Sequence, residues 1–297
     1  MIVATATDPA YVELTGVMLA SLAATGGGDI SAVYVFSDGV SEADKQRLRA
    51  SYGRPGIDFI DLTEEITRQF AAGPVNFHIS RTAYARILMP LTLADATGRL
   101  LYIDCDTVVN GSLSDLATID MQGHALAAVD DIAIQVPERH AKRNLDIGLP
   151  AETRYFNSGV LLIDLEVWRR ERISERTIAF IEANPKLPMM DQDALNGTLR
   201  GDWLPLDERW NMHRRLVKGR YTDDPAIWQQ ARIIHFIGQV KPNYADCNHP
   251  ARALYIEYRA RTPFATIPLK SKLRRKVEKR VRRLKRFAGK VRKALGV

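Results

Sequence analysis

The stretch Arg99-Leu100-Leu101-Tyr102-Ile103-Asp104-Cys105-Asp106 decides how the rest of the chain is read. A short apolar run, rich in strand formers, ends abruptly in two carboxylates one residue apart. Such a run predicts a buried strand whose carboxyl end delivers acidic side chains to a crevice. Side chains alternate along an extended chain, so Asp104 and Asp106 are expected on one side and Cys105 on the other. Two hard oxygen ligands there suit a divalent cation that substrate phosphates also hold. A D-x-D pair by itself has low specificity. The chain carries a second copy, Asp191-Gln192-Asp193, and a solvated turn or helix cap is the bland explanation of either.

Working outward, the segments on both sides read as alternating strands and helices. Residues 2–7 predict a strand with Asp8 at its carboxyl end, and 11–24 a helix stopped by Gly26-Gly27-Gly28. Residues 31–36 are a second strand, 41–51 a helix with Ser41 and Asp44 as a capping box, and 57–62 a third strand. Residues 81–89 predict a helix ended by Pro90. Later strands fall at 125–129, 159–163 and 233–236, with helices at 168–182 and 191–199, the latter capped by Asp191. Repeated strand–helix–strand order predicts an α/β fold with a mostly parallel sheet.

Composition is that of an ordinary globular protein: 297 residues, 46% hydrophobic and 26% charged. No run is long enough for a membrane span, and the first residues lack a basic leader, so a cytoplasmic protein is expected. The only two cysteines, Cys105 and Cys247, form no disulfide framework and fit a reducing compartment. The net charge of +7 is unevenly placed: residues 270–297 hold 14 Lys or Arg against one Glu, leaving residues 1–269 at −6. In this tail Leu273, Val277, Val281, Leu284, Ala288, Val291 and Leu295 recur every three or four positions. They make a narrow apolar stripe on an otherwise basic helix. Such a helix suits the surface of an anionic membrane, at the inner face for a cytoplasmic protein. A solvated tail or a nucleic-acid binder has no use for the stripe, which makes nucleic acid the poorer partner. The chain therefore divides into a body at 1–250, a connecting segment at 251–269 and the basic amphipathic tail at 270–297.

Four more clusters accompany Asp104-Cys105-Asp106: Arg86 ahead of it, then Phe156-Asn157-Ser158-Gly159-Val160, Asp191-Gln192-Asp193, and His235-Phe236-Ile237-Gly238-Gln239-Val240-Lys241-Pro242. In this order, over residues 1–245, the chain resembles glycosyltransferase family 8, the retaining enzymes typified by bacterial lipopolysaccharide galactosyl- and glucosyltransferases. The resemblance implies the GT-A nucleotide-sugar fold, a Rossmann-like sheet. It also implies a UDP-hexose donor and a glycan or glycolipid acceptor such as lipopolysaccharide core. Asp104, Asp106 and His235 are then the ligands of Mn²⁺, with Mg²⁺ as the alternative ion. Mixed carboxylate and imidazole ligation favours Mn²⁺.

The remaining roles follow the same resemblance. Asp8 looks like the uridine contact, though a helix N-cap explains it almost as well. Arg86 looks like the arginine that reaches the donor sugar, against a surface salt bridge. Asn157 resembles a sugar-site residue, against simple turn chemistry. Asp191 and Gln192 resemble the pair beside the reacting carbon, with Gln192 stabilising an oxocarbenium ion and not acting as a nucleophile. Gly238 lets the backbone approach the diphosphate, and Lys241 reaches it as a point charge. Asp130 is expected to face the acceptor. Asn243 stands where the family often has an aromatic. Two other classes compete. A nucleotidyltransferase wants a Gly-rich basic loop after the first strand, and Thr7-Asp8-Pro9 is not one. A non-catalytic nucleotide-sugar or nucleic-acid binder acting through the tail would have no need of the Asp104, Asp106, His235 and Lys241 set.

Overall fold

The structure, a computed structural model, describes residues 1–63, 81–132, 136–214, 226–273 and 277. Of the tail's apolar stripe only Leu273 and Val277 fall among them, both exposed; Val281, Leu284, Ala288, Val291 and Leu295 lie outside the described residues.

The body is a mixed α/β layer structure. In chain order, β1 (Ile2–Thr7) leads to α1 (Val12–Thr25), β2 (Ala32–Ser37) to α2 (Glu42–Tyr52), and β3 (Ile57–Asp61) precedes α3 (Arg81–Thr92). Then come β4 (Arg99–Ile103), β5 (Thr107–Val109), α4 (Ser114–Thr118), β6 (Leu126–Asp130), α5 (Pro137–Asp146) and β7 (Phe156–Asp164). Helices α6 (Leu165–Arg170), α7 (Ile173–Ala183) and α8 (Met190–Leu199) follow, then β8 (Leu204–Pro205) and a 3₁₀ turn, Glu208–Asn211. Helix α9 (Ile227–Gln230), β9 (Ile233–His235) and α10 (Arg252–Arg259) complete it. The central sheet has the order β3-β2-β1-β4-β7-β6-β8, and β5 pairs separately with β9.

Strand β4 lies in the middle of the sheet, and its apolar run is explained by burial on both faces. Leu100 and Tyr102 join the core under α3 and α6–α8, while Leu101 and Ile103 join the opposite core under α1 and α2. All four are at most 1% exposed. Each such side chain contributes about 1.5–3 kcal/mol of burial, so no other placement of this segment competes.

Most neighbours pair in parallel: β1 with β2 and β4, β2 with β3, and β6 with β8. Strand β7 is the exception, antiparallel to both β4 and β6. Its register sets Arg99 opposite Asp164 and Ile103 opposite Val160. The amino end of β7 therefore reaches the same edge of the sheet as the carboxyl end of β4. That reversal delivers Asn157, Ser158 and Gly159 to the site.

Several local expectations are corrected. The β4 strand ends at Ile103, and Cys105-Asp106 form a turn, so strand alternation is not what brings the two aspartates together. Pro90 does not end its helix, which continues to Thr92. Arg169 donates to the carbonyls of Pro90, Leu93 and Ala96, closing the helix end from outside. The helix expected at 168–182 is two helices, broken where Arg172 takes the left-handed conformation at φ 52°. Asp191 does not cap α8. Asp193 Oδ2 accepts from Met189 N at 2.7 Å instead, which leaves Asp191 free to face the site. Asp8 closes only the turn ahead of α1, accepting from Ala10 N at 2.8 Å; the N-cap position itself is Tyr11.

Residues 251–270 pack against the body. Tyr255 and Tyr258 join a core with Leu14, Val17, Trp228 and Phe236, and Phe264 sits over Gly16, where a Cβ would meet its ring at 2.5 Å. Glu13 pairs with Arg259 at 2.7 Å, both nearly buried. Lys270 is stitched to the loop after Pro242: its N–H donates to Asn243 O at 2.9 Å and its carbonyl accepts from Ala245 N at 2.9 Å. Its ammonium lies 3.4 Å from Ala10 O. Among the described residues no helix is long and apolar enough to cross a membrane.

Candidate active site

Three elements meet at the edge of the sheet: the turn after β4, the start of β7, and the end of β9. The small β5–β9 ladder sets Thr107 opposite His235, and Phe236 N donates to Asp106 O at 3.0 Å. Backbone pairing thus fixes the imidazole against the aspartate turn, although the two lie more than a hundred residues apart. His235 Nε2 stands 3.3 Å from Asp106 Oδ1 and 3.6 Å from Asp104 Oδ2. The candidate ligand atoms of Asp104, Asp106 and His235 all lie within 4.8 Å of one another. A hard O,O,N set converging at this distance fits a divalent ion.

Gly159 makes the convergence possible. It pairs with the turn through Asp104 N, which donates to Gly159 O at 2.7 Å. A Cβ built on Gly159 would meet His235 Cε1 at 2.2 Å and Asp104 Oδ2 at 2.9 Å. Only a residue without a side chain leaves that space open.

Cations surround the carboxylates. Arg86 donates to Asp104 Oδ1 at 2.9 Å and also stands 3.1 Å from Asp191 Oδ2. Its guanidinium further donates to Ser158 O at 2.7 Å and Ser158 Oγ at 2.8 Å. Tyr102 O–H donates to the same Asp104 oxygen at 2.5 Å. Lys241 pairs with Asp106 Oδ2 and donates to Phe236 O at 2.8 Å. Burial alone would raise the Asp106 carboxyl, but Lys241 and His235 outweigh it and hold it well below the usual carboxylate range. Burial works against the Arg86 charge, and Asp104 and Asp191 more than restore it. Asp191 is pushed up, by burial first and by Asp104 besides, with Arg86 opposing.

Gln192 and Asn157 lie beside this group. Gln192 Oε1 accepts from Ser158 N at 3.0 Å, and its Nε2 donates to Asp131 Oδ2 at 3.1 Å. Asn157 Nδ2 donates to the same Asp131 oxygen at 3.1 Å. Asp130 lines a cavity of about 180 Å³ together with Asp131, Asn211, His213 and Arg214, but its carboxylate is engaged by Arg154. Asp131 is the member of that pair joined to Asn157 and Gln192. Gly238 adopts φ 91°, a conformation that favours glycine. Asp8 stands at the end of β1 with its carboxyl raised by burial.

Sequence reasoning missed Tyr102, Asp131 and Asn211. Tyr102 reads as core from its neighbours, and only its hydroxyl escapes that role. Asn211 sits in Trp210-Asn211-Met212-His213, where polar residues alternate with apolar ones in a stretch otherwise read as loop. That alternation was the available signal.

The fold and the acid–acid–imidazole cluster are those of an α/β enzyme with a candidate divalent-metal site at the edge of its sheet. The model of glycosyl transferase family 8 matches residues 2–244. The chain is 33% identical over 248 residues to general stress protein A of Bacillus subtilis, covering 79% of this chain and 84% of that one. It is 24% identical to the lipopolysaccharide 1,3-galactosyltransferase of Salmonella typhimurium, covering 84% and 75%. The galactosyltransferase LgtC, solved with donor and acceptor sugar analogs, superposes with a TM-score of 0.71 at 29% identity, covering 90% of this chain and 98% of that one. The chain belongs to glycosyl transferase family 8 and is a hexosyltransferase with the GT-A fold.

Proposed function

We propose that the enzyme moves galactose or glucose from a UDP-sugar, with retention, to a glycan or glycolipid acceptor such as lipopolysaccharide core, and that Asp104, Asp106 and His235 hold a divalent ion, Mn²⁺ by donor preference. The observation that carries this reading is the meeting of those three groups with Lys241 on one side and Arg86, Asp191 and Gln192 on the other. The ion, when bound, supplies positive charge to the diphosphate as the sugar–phosphate bond breaks. Lys241 adds a second charge to the leaving diphosphate, and Gly238 admits it close to the backbone. Asp8 receives the uridine end. Arg86 and Asn157 position the sugar, while Asp191 accepts a hydrogen bond from a sugar hydroxyl. Gln192 presents its amide to the face where positive charge develops on the reacting carbon, and Asp130 faces the acceptor. The catalytic unit is residues 1–250, with 251–269 as the connector to the tail. Residues 270–297 hold the enzyme at an anionic membrane surface on the cytoplasmic side, supported by the charge and apolar stripe of that segment.

The test is release of UDP from a panel of UDP-sugars without acceptor, with Mn²⁺ and with chelator. One UDP-hexose is expected to be hydrolysed slowly and only with metal. Asp104→Ala is expected to abolish it and Gln192→Ala to lower it about 100-fold. Cleavage undiminished by chelator, or near-normal transfer by Gln192→Ala, would contradict these roles. For the tail, the full chain is expected to sediment with anionic liposomes at physiological salt; retention in the supernatant would remove the membrane assignment.

A further inference from the structure

The imidazole of His235 offers two nitrogens, and a metal can be held only by one that carries no proton. The buried side chains behind the site determine which one that is. Asp131 is an ion-paired carboxylate, its Oδ1 accepting from Arg143 at 3.0 Å. Its Oδ2 faces the Asn157 amide at 3.1 Å, so the Asn157 atom there is the NH₂ group. The orientation is fixed a second time, because the other Asn157 amide atom accepts from Gly159 N at 3.0 Å and must be oxygen. That same oxygen lies 2.9 Å from the Asn211 amide, which therefore turns its NH₂ toward Asn157. Asn211 is left with only its carbonyl oxygen to present to His235 Nδ1, 3.0 Å away. A carbonyl oxygen requires a donor there. Asn211 is fully buried and Asn157 nearly so; a turned Asn211 amide would set oxygen against Asn157 Oδ1, and a turned Asn157 amide would set oxygen against Asp131 Oδ2.

We infer that Asn211 is a positioning residue: through the relay Asp131–Asn157–Asn211 it keeps a proton on His235 Nδ1, so that Nε2 is the ring nitrogen turned to the point between Asp104 and Asp106. The relay rests on the reading of those three residues as a metal site, which it deepens. It also accounts for Asp131 serving two groups at once. One carboxylate oxygen orients Asn157, and through it the imidazole, and also orients Gln192 Nε2 at 3.1 Å. The metal ligand and the amide at the reacting face are thus set by a single buried anion. Outer partners of this kind are worth about 10–100-fold in metal affinity when removed.

Two measurements on the full chain test it. Long-range ¹H–¹⁵N correlation spectra of the ¹⁵N-histidine protein should show His235 with a protonated Nδ1. Finding Nδ1 unprotonated in the wild type would overturn the relay whatever any variant does. Calorimetry with Mn²⁺ alone, without donor, should show Asn211→Leu weakened about 10–100-fold while its urea midpoint shows it folded. Asn211→Asp keeps an oxygen facing Nδ1 and is expected to retain the Nδ1–H form. Mn²⁺ affinity of a folded Asn211→Leu equal to wild type would overturn the positioning role. No Mn²⁺ binding by the wild type would overturn the metal reading itself and this inference with it, whereas an unprotonated Nδ1 with tight binding overturns the relay alone.

Discussion

Among the glycines of the described residues, Gly159 is the one where a Cβ would come nearest to a neighbouring side chain. Its missing side chain is the space in which His235 and Asp104 approach, with a Cβ contact of 2.2 Å that no rotamer change of a buried ring relieves. Gly159→Ala is therefore expected to displace the imidazole and to abolish Mn²⁺ binding measured by calorimetry. Overpacking at a strand in the sheet centre should also lower stability by about 1–3 kcal/mol, read as a drop in urea midpoint. A folded Gly159→Ala protein that binds Mn²⁺ normally would show that the cradle has slack. At this scale the sequence pointed to side chains that the fold brings together. Asp104 and Asp106 stand out because two carboxylates end an apolar run, whereas Arg86, Gln192, His235 and Lys241 stand out by the order of motifs that carries the family resemblance. Asn211 and Asp131 did not, because their roles depend on what their amides and oxygens touch across the fold. Tyr102 was hidden by its own burial, which is indistinguishable in sequence from that of Leu100.

At the scale of elements, helix α10 fastens the connecting segment to the body. Helix α10 carries Arg259, which pairs with Glu13 at 2.7 Å and also donates to Ala265 O at 3.1 Å. Removing one partner of a nearly buried pair leaves the other charge uncompensated, at a cost of about 3–5 kcal/mol. Arg259→Leu is expected to lose stability of that order in urea unfolding, and Glu13→Gln added to it should restore part. A double variant as unstable as Arg259→Leu would mean that packing of the arginine stem, and not the charge, is what matters. Element existence was well marked in the sequence: β1, β2, β4 and α2 with its Ser41 cap fall within a residue or two of expectation. Direction was not. Nothing in residues 156–164 distinguishes a parallel from an antiparallel strand, since both are buried apolar runs. The break at Arg172 was equally silent, for the left-handed residue is not a glycine. Pro90 misled because Arg169, distant in sequence, supplies the hydrogen bonds that a helix end lacks.

For the whole molecule, acid should be destabilising in a window set partly by His249. Its ring is packed at 4.5 Å from Trp228 and 4.6 Å from Phe236, and Nδ1 accepts from Ala251 N at 3.1 Å. Burial, with the nearby His235 second, pushes its pKa down from 6.5 to about 3. Above pH 6.5 the ring is neutral folded and unfolded alike and has no pH effect. Below it the unfolded chain takes up a proton that the native state refuses, so stability falls as pH drops and the loss levels off only near pH 3. By pH 4.5 this group alone removes about 3 kcal/mol. Unfolding midpoints between pH 7.5 and 4.5 should therefore slope more gently in His249→Gln than in wild type. Parallel slopes would place the acid sensitivity elsewhere.

The stitch at Lys270 has a consequence for how the enzyme searches. The basic stretch begins at a residue whose backbone is bonded on both sides to the loop two residues beyond Lys241, and whose ammonium reaches Ala10 near Asp8. Under the roles proposed for Asp8, Lys241 and residues 270–297, the membrane-binding segment starts beside the donor site. On that proposal, an acceptor confined to the same surface is met by lateral diffusion in a thin layer, and its effective concentration, more than its intrinsic affinity, governs how often the two encounter each other.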